Sequence, residues 1–114
     1  MTNLWILWAR EEMERRLHEP CILEHVAAAM DLSLARFTRL FVDAEGVAPA
    51  DYLHRVRLAR AKVLLERTFL SVDQVIALVG LSDVKRFEDD FRHAYGVPPQ
   101  ALREQVWGGS PRES

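Results

Sequence analysis

Apolar residues recur at intervals of three or four along most of the chain, and glycine, proline or serine stands between the runs. This spacing puts the apolar side chains on one face of an α-helix, which is the pattern of an amphipathic helix. The pattern predicts an all-α fold of about seven helices. The predicted helices cover residues 4–18, 23–30, 33–45, 51–67, 71–79 and 83–95, and a short last helix begins near Pro99.

The longest predicted helix, from Asp51 to Arg67, is apolar on more than one side. A helix with apolar residues on several sides is buried on several sides. We therefore expect this helix to be a strut that joins two small cores. Its apolar positions are Leu53, Val56 and Leu64 on one side, Leu58, Ala61 and Leu65 on another, and Tyr52, Ala59 and Val63 between them.

Serine and glycine mark the predicted ends of several helices. Ser33 precedes the third helix as an N-cap residue, and Gly46 follows it as a C′ glycine does. Ser71 and Gln74 have the spacing of a capping box. The expected cap of the second helix, Ile22, is a poor N-cap residue.

The third and sixth helices each carry a stripe of aromatic and small apolar residues that predicts the inward face. The inward residues are expected to be Phe37, Leu40, Phe41 and Ala44 in the third helix, and Phe87, Phe91 and Ala94 in the sixth. Residues opposite each stripe then face away from the core.

The chain contains two copies of one unit, in residues 22–49 and 71–99. Three residues of the first copy recur 49 positions later and four recur 50 positions later, so one extra residue is expected between Ser82 and Phe87. The matches are Val26, Leu32 and Ser33 with Val75, Leu81 and Ser82, then Phe37, Phe41, Gly46 and Val47 with Phe87, Phe91, Gly96 and Val97. Each copy is a short helix, a tight turn with a capping serine (Ser33 or Ser82) and a longer helix, which is helix-turn-helix geometry.

This arrangement resembles the DNA-binding domain of AraC-type transcriptional regulators, over about residues 4–106. The resemblance is carried by Phe37-Thr38-Arg39-Leu40-Phe41, Gly46-Val47-Ala48-Pro49, Arg57-Leu58-Ala59-Arg60-Ala61, Gly80-Leu81-Ser82 and Gly96-Val97-Pro98-Pro99. It implies sequence-specific binding of double-stranded DNA in transcriptional regulation. Together with the repeat it predicts a first helix-turn-helix subdomain at 4–49, a linker helix at 50–68 and a second subdomain at 69–107. The Gly, Ser and Pro content of 108–114 predicts a disordered tail.

The length of the strut fits this implied function. Seventeen residues of helix span about 25 Å. With the packing distance at each end of the strut added, the two longer helices would lie about 30–35 Å apart. One turn of duplex DNA is about 34–36 Å. We therefore expect helices 33–45 and 83–95 to enter successive major grooves.

The resemblance and the helical wheel together nominate the DNA-binding residues. They are Ser33, Ala35, Arg36, Thr38 and Arg39 in the first copy, and Ser82, Val84, Lys85, Arg86 and Asp89 in the second. Arg39 can donate two hydrogen bonds to guanine or hold a phosphate, and Ala35 can contact a thymine methyl group. Asp89 stands where the family usually carries an arginine that meets DNA.

The second copy carries three consecutive acidic residues, Glu88, Asp89 and Asp90. They oppose phosphate, whose neutralisation supplies much of the affinity for DNA. The i,i+4 spacing also predicts ion pairs Lys85–Asp89, Arg86–Asp90 and Glu88–Arg92. We therefore expect the first copy to dominate DNA binding. The alternative is a protein-interaction module whose second DNA-facing helix has turned acidic.

Charge and composition narrow the function classes further. Net charge is −2, but residues 33–70 carry seven basic and four acidic groups, so the centre is basic. No catalytic grouping of Ser, His and Asp, paired-carboxylate cleft or glycine-rich phosphate loop is evident, so we predict neither an enzyme nor a cofactor. His18, Cys21 and His25 suggest a metal site, but Pro20 interrupts them and no fourth ligand is near, so no metal site is predicted.

The single cysteine, Cys21, excludes an internal disulfide, fits a reducing cytoplasm and is expected in the core. No apolar run approaches the about 20 residues that cross a bilayer, so no membrane contact is expected. The resemblance implies a bacterial protein used at the nucleoid. RNA polymerase and a separate effector-sensing or dimerising domain remain open as further partners. The chain is either a standalone regulator or the C-terminal part of a longer one.

Overall fold

A computed structural model describes residues 3–107, which form seven α-helices and no β-strand, as the apolar pattern predicts. The helices are α1 (Leu4–Arg15), α2 (Ile22–Ala29), α3 (Leu34–Glu45), α4 (Pro49–Arg67), α5 (Val72–Leu78), α6 (Val84–Tyr95) and α7 (Pro99–Trp107). The predicted disordered tail at 108–114 lies outside the described residues.

Several predicted helix ends differ from the structure by one to three residues. Helix α1 ends at Arg15 instead of residue 18, and α2 begins at Ile22, so that Cys21 is its N-cap residue. Helix α4 begins at Pro49, ahead of the predicted start. Proline suits the first position of a helix because its φ is preset and the N–H that it lacks would have no helical partner there. The same explanation holds for α7, which begins at Pro99.

The chain divides into two compact units, and the boundary between Val56 and Arg57 falls inside α4. In the first unit α1 packs on α2 and α2 packs on α3. Its buried apolar side chains are Ile6, Ala9, Met13, Leu17, Ile22, Val26, Ala27, Phe37, Phe41 and Leu53.

In the second unit α5 packs on α6 and α6 packs on α7. Its buried apolar side chains are Leu58, Ala61, Leu65, Val75, Ile76, Val79, Phe87, Phe91 and Leu102. The predicted capping box at the start of α5 is confirmed, since the Ser71 hydroxyl accepts from the Gln74 N–H and the Gln74 side chain accepts from the Ser71 N–H. The division into subdomains 4–49 and 69–107 around a linker helix at 50–68 stays a prediction.

Several apolar residues expected in the core are exposed. Ala44 and Ala94 lie three residues beyond Phe41 and Phe91, in the last turns of α3 and α6, and both are exposed. Ala59 and Val63 lie on an exposed side of α4. Not every apolar residue of the strut is therefore buried in a core. Cys21 is exposed as well, because it stands at a helix end and not on a packed face.

Candidate nucleic-acid interface

Helix α3 is fixed at both ends and along one side. The Ser33 hydroxyl accepts a hydrogen bond from the backbone N–H of Arg36 (3.1 Å), so the predicted cap is confirmed. Gly46 ends the helix in the left-handed region at φ 79°, where residues with a Cβ are strained. The Phe37 and Phe41 side chains have no exposed surface. These contacts determine which side of α3 faces away from the core.

Helix α6 is built the same way, with one correction to the predicted cap. Asp83, and not Ser82, is the N-cap residue, and its Oδ1 accepts from the Arg86 N–H (3.0 Å). Gly96 ends the helix at φ 83°. Phe87 and Phe91 are buried, like their counterparts in α3.

The extra residue of the second copy is Ser82 itself, so the prediction that it lies after Ser82 is wrong. Before Ser82, the two turns are closed by equivalent hydrogen bonds. The Leu32 N–H donates to the Ala27 carbonyl (2.9 Å) and the Leu81 N–H to the Ile76 carbonyl (3.0 Å), so equivalent residues are 49 positions apart. After Ser82, the N-cap residues Ser33 and Asp83 are 50 apart. A match between the two serines therefore misaligned the caps. Ser82 is exposed and its role as a DNA contact stays a prediction.

The predicted DNA-binding residues form two groups, one at each longer helix. On α3 the Ala35, Arg36 and Arg39 side chains are exposed, and Thr38 is half-buried. Ser33 is exposed but its hydroxyl is engaged as the cap.

On α6 the predicted residues are all exposed: Val84, Lys85, Arg86 and Asp89. The backbone N–H of Arg86 is engaged by the cap, whereas its side chain is 76% exposed. Both helices therefore offer the predicted side chains on an outward surface.

Arg39 and Asp89 occupy the same place in the two helices. Each lies midway in sequence between the two buried phenylalanines of its helix, and about 100° of rotation per residue puts it about 180° from the centre of that buried pair. The 50-residue offset of the caps also equates them. The residue that projects most directly from the core is therefore cationic in the first unit and anionic in the second.

The two helices differ in the charge at this central position, Arg39 or Asp89, and not in the total charge of their exposed residues. The exposed charged residues of α3 are two arginines and one aspartate: Arg36, Arg39 and Asp43. Those of α6 are three basic and two acidic residues: Lys85, Arg86, Arg92, Glu88 and Asp89. Each set has an excess of one positive charge with histidine neutral.

One of the three ion pairs predicted on α6 is present. Arg86 Nε lies 3.6 Å from Asp90 Oδ2, and the Asp90 side chain is 34% exposed. Among the residues that the structure describes, Lys85 and Asp89 form no such pair, nor do Glu88 and Arg92. The Asp89 carboxylate is thus not neutralised by the lysine one turn before it.

A tyrosine backs the phenylalanine pair in each unit. In the first, the Tyr52 ring lies 5.7 Å from Phe41, and its hydroxyl donates to Glu14 Oε2 (2.5 Å). Burial and that hydrogen bond raise the pKa of Tyr52 above its ordinary value. The Arg10 guanidinium lies against the same ring and also contacts Glu45 at the end of α3 (3.6 Å).

In the second unit the Tyr95 ring meets Phe91 edge-on at 4.8 Å, and Lys62 Nζ lies 5.6 Å from the Tyr95 centroid. Burial raises the pKa of Tyr95. The surroundings of each pair hold its helix in place without using the outward residues.

Sequence reasoning missed one exposed apolar residue, Leu34. It is the first residue of α3, is 39% exposed, and corresponds to Val84, the first residue of α6, which is 42% exposed. The signal was present in the sequence, since moving the extra residue to Ser82 aligns Leu34 with Val84. Each helix therefore begins with an exposed apolar side chain able to contact a thymine methyl group.

The histidine and cysteine motif near Pro20 does not assemble a metal site. His25 Nδ1 lies 3.5 Å from Glu19 Oε1, and Cys21 is exposed. No group of three potential ligands occurs between residues 3 and 107. Over the same range, no helix has the length and apolar content to cross a membrane.

Comparison with known families matches residues 26–105 to a helix-turn-helix domain. The HTH-type transcriptional regulator GbdR of Pseudomonas aeruginosa is 31% identical over 99 residues, covering 87% of this chain and 27% of GbdR. The transcriptional activator NphR of a Rhodococcus species is 36% identical over 94 residues, covering 82% of this chain and 28% of NphR. The chain thus spans about a quarter of the length of these two transcriptional regulators.

Solved structures show the same architecture. A regulator with an AraC-type DNA-binding domain from Chromobacterium violaceum has a TM-score of 0.79 at 28% identity, over 90% of this chain and 91% of that one. The DNA-binding domain of AdpA, solved in complex with a target DNA, has a TM-score of 0.81 at 29% identity, over 93% and 96%.

Proposed function

The chain belongs to the AraC-type family of helix-turn-helix DNA-binding domains, and on this basis we propose that it binds double-stranded DNA sequence-specifically in transcriptional regulation. The observation that carries the proposal is the outward surface of α3. A helix whose cap, C-terminal glycine and buried phenylalanines fix its rotation presents Ala35, Arg36 and Arg39 to solvent. A major groove about 12 Å wide admits such a helix.

In the first unit, Arg39 is the principal base-reading residue. It projects directly away from the core, and a guanidinium donates two hydrogen bonds to the O6 and N7 acceptors of guanine. Ala35 lies one turn earlier on the same side and contacts a thymine methyl group. Ser33 and Thr38, one capping and one half-buried, lie at the margins of this surface.

In the second unit, α6 contributes less affinity. Lys85 and Arg86 neutralise phosphate, whereas Asp89 and Glu88 oppose it. We propose that each unit inserts its longer helix into a major groove. That the two grooves are successive is a prediction from the length of the strut, and the spacing of protected bases on a bound duplex will measure it.

Localisation, activity and further partners follow from membership of the family. We infer that the protein acts in the bacterial cytoplasm, at the nucleoid, and has no enzymatic activity. RNA polymerase and a separate effector-sensing or dimerising domain are the further partners that the family suggests. The comparison with the DNA-bound AdpA domain favours DNA over the alternative of a protein-interaction module.

The test is a selection of duplexes from a random pool, followed by titration of the selected duplex against an unrelated one over a range of salt. Arg39→Ala is expected to lower affinity for the selected duplex about 5- to 150-fold, and affinity for the unrelated duplex much less, since a bidentate arginine–guanine contact discriminates by about 1–3 kcal/mol.

The matched control is Arg15→Ala, which removes an exposed arginine of α1 that pairs with Glu12 (2.7 Å). It is expected to leave binding of the selected duplex unchanged. The double variant Lys85→Ala/Arg86→Ala is expected to weaken both duplexes similarly. A larger loss of specific binding in this double variant than in Arg39→Ala would reverse the ranking of the two units. Failure to bind any duplex at low salt would remove the proposal.

A further inference from the structure

Asp89 has the geometry of a base-reading residue and not that of a structural acid. It lies at the mid-point of α6, about 180° from the Phe87–Phe91 pair, and its side chain is exposed. In the first unit the same position holds Arg39, the residue to which the proposed function assigns base recognition.

The acidic residues beside Asp89 differ from it in what they contact or where they lie. Asp90 is partly buried and pairs with Arg86 along the helix. Glu88 lies about 100° around the axis from Asp89, toward the flank of the helix. Its counterpart in the first unit, Thr38, is half-buried. Asp89 alone among the three stands at the centre of the outward surface.

An ionised carboxylate is a hydrogen-bond acceptor and has no donor. The major-groove edge of cytosine presents the N4 amino group as a donor, and Asp or Glu accepts from it. Guanine and thymine expose only acceptors at this edge, which a carboxylate repels, and adenine sets its N6 amino donor beside the N7 acceptor. An aspartate in this place therefore costs affinity for phosphate and gains selectivity for one base.

The cations around Asp89 can offset its charge against the backbone of the duplex. Lys85 precedes it by one turn on the same side of α6, and Arg92 follows at about 60° around the axis from it. Both side chains are exposed, and neither forms an ion pair with Asp89 or Glu88 in the described part of the chain. They remain able to contact phosphates on either side of the base that Asp89 meets.

We propose that Asp89 is the specificity-determining residue of the second unit and accepts a hydrogen bond from N4 of a cytosine. The two units then read unlike bases from equivalent positions, guanine opposite Arg39 and cytosine opposite Asp89. This inference rests on the proposed DNA-binding function.

The experiment compares duplex pools selected by the full chain and by Asp89→Asn. Asparagine has nearly the shape of aspartate but carries a donor as well as an acceptor, which matches N6 and N7 of adenine. The wild-type pool is expected to contain an invariant cytosine in one half-site, and the Asp89→Asn pool an adenine at that position, with the other half-site unchanged. Titration of the two duplexes should show a reversal of preference of about tenfold in each direction.

The matched control is Glu88→Gln, which removes the same charge from the neighbouring residue. It is expected to raise affinity for all duplexes without changing the preferred base. If Asp89→Asn does the same, so that it binds more tightly with an unchanged pool, then Asp89 is only a repulsive charge and the inference is overturned while DNA binding stands. If the wild-type chain selects no duplex at low salt, both are overturned.

Discussion

The two helix-turn-helix units share their internal construction and differ on their outward surface. Helices α3 and α6 each have a side-chain cap three residues before the bonded N–H, a left-handed glycine at the end and two buried phenylalanines four residues apart. Yet the residue at the centre of the outward surface is Arg39 in one and Asp89 in the other. Packing determines which direction a helix faces, whereas the chemistry it presents there is free to change.

The turns before these helices differ in a way that packing tolerates. Asp31 adopts the left-handed conformation at φ 59°, and Gly80 adopts it at φ 82°. Aspartate is one of the few residues other than glycine that visit this region, because its short side chain bonds locally. The second turn then contains Ser82 in addition, and α6 still begins with the same cap geometry as α3.

The largest expected effect tests whether the two cores are equivalent. Phe41→Ala and Phe91→Ala should each lower the free energy of unfolding by about 3–5 kcal/mol, because both side chains are fully buried. Urea unfolding followed by circular dichroism measures this. The control is Phe69→Ala, which removes a phenylalanine that is 78% exposed and stacked on Trp107, and should cost about 1 kcal/mol. A small loss for only one of the two core variants would break the equivalence.

The next effect concerns the outward surfaces. Asp89→Arg gives α6 the same central charge as α3, and should raise affinity for unrelated duplexes about tenfold at low salt and steepen the salt dependence by about one phosphate contact. Anisotropy titrations at several salt concentrations measure both. Asp73→Arg makes the same charge change at an exposed position of α5. An equal rise in that control would mean that net charge, and not the position of Asp89, limits binding.

The smallest effect tests the register of the second unit. Ser33→Ala and Asp83→Ala should each lower the free energy of unfolding by about 1 kcal/mol, because each removes the acceptor that caps its helix. Ser82→Ala should change it by less than about 0.5 kcal/mol, since Ser82 is exposed and is not the cap. Thermal melts of the three variants compare them directly. Equal losses at Ser82 and Asp83 would contradict the register described above.

Most of the fold could be predicted from local patterns. The cap at Ser33, the capping box at Ser71 and Gln74, and the termini at Gly46 and Gly96 depend on contacts within a few residues, which residue type and spacing reveal. Of the predictions that failed, those on burial depend on neighbours from elsewhere in the chain. Ala44 and Ala94 lie at angles that the helical wheel points inward, but the wheel contains no information on where the adjoining helix ends.

At the candidate interface, the direction of each helix face could be predicted from the sequence, whereas the register of the two caps could not. Arg39 and Asp89 were recognised as outward because the phenylalanine stripe alone gives the direction of a helix face. The phenylalanines at an offset of 50 also equate the two residues. The register of the caps was not evident, because Ser33 and Ser82 match in residue type while the hydrogen bonds equate Ser33 with Asp83. Ile76 stands where the first copy has Ala27, and both side chains are buried although they differ in size.

The sequence by itself determined the all-α class, the doubled unit and the outward placement of Arg39 and Asp89, because each depends on periodicity; the family followed from the resemblance of its motifs. Only the tertiary structure decided that Asp83 caps α6, that Ser82 is the extra residue, and that Ala59 and Val63 on the long helix α4 face solvent. The physical reason differs between the two cases. Ser82 and Asp83 are both good N-cap residues, so residue type does not choose between them, whereas burial depends on the surface of another element, whose position no local pattern of residues contains.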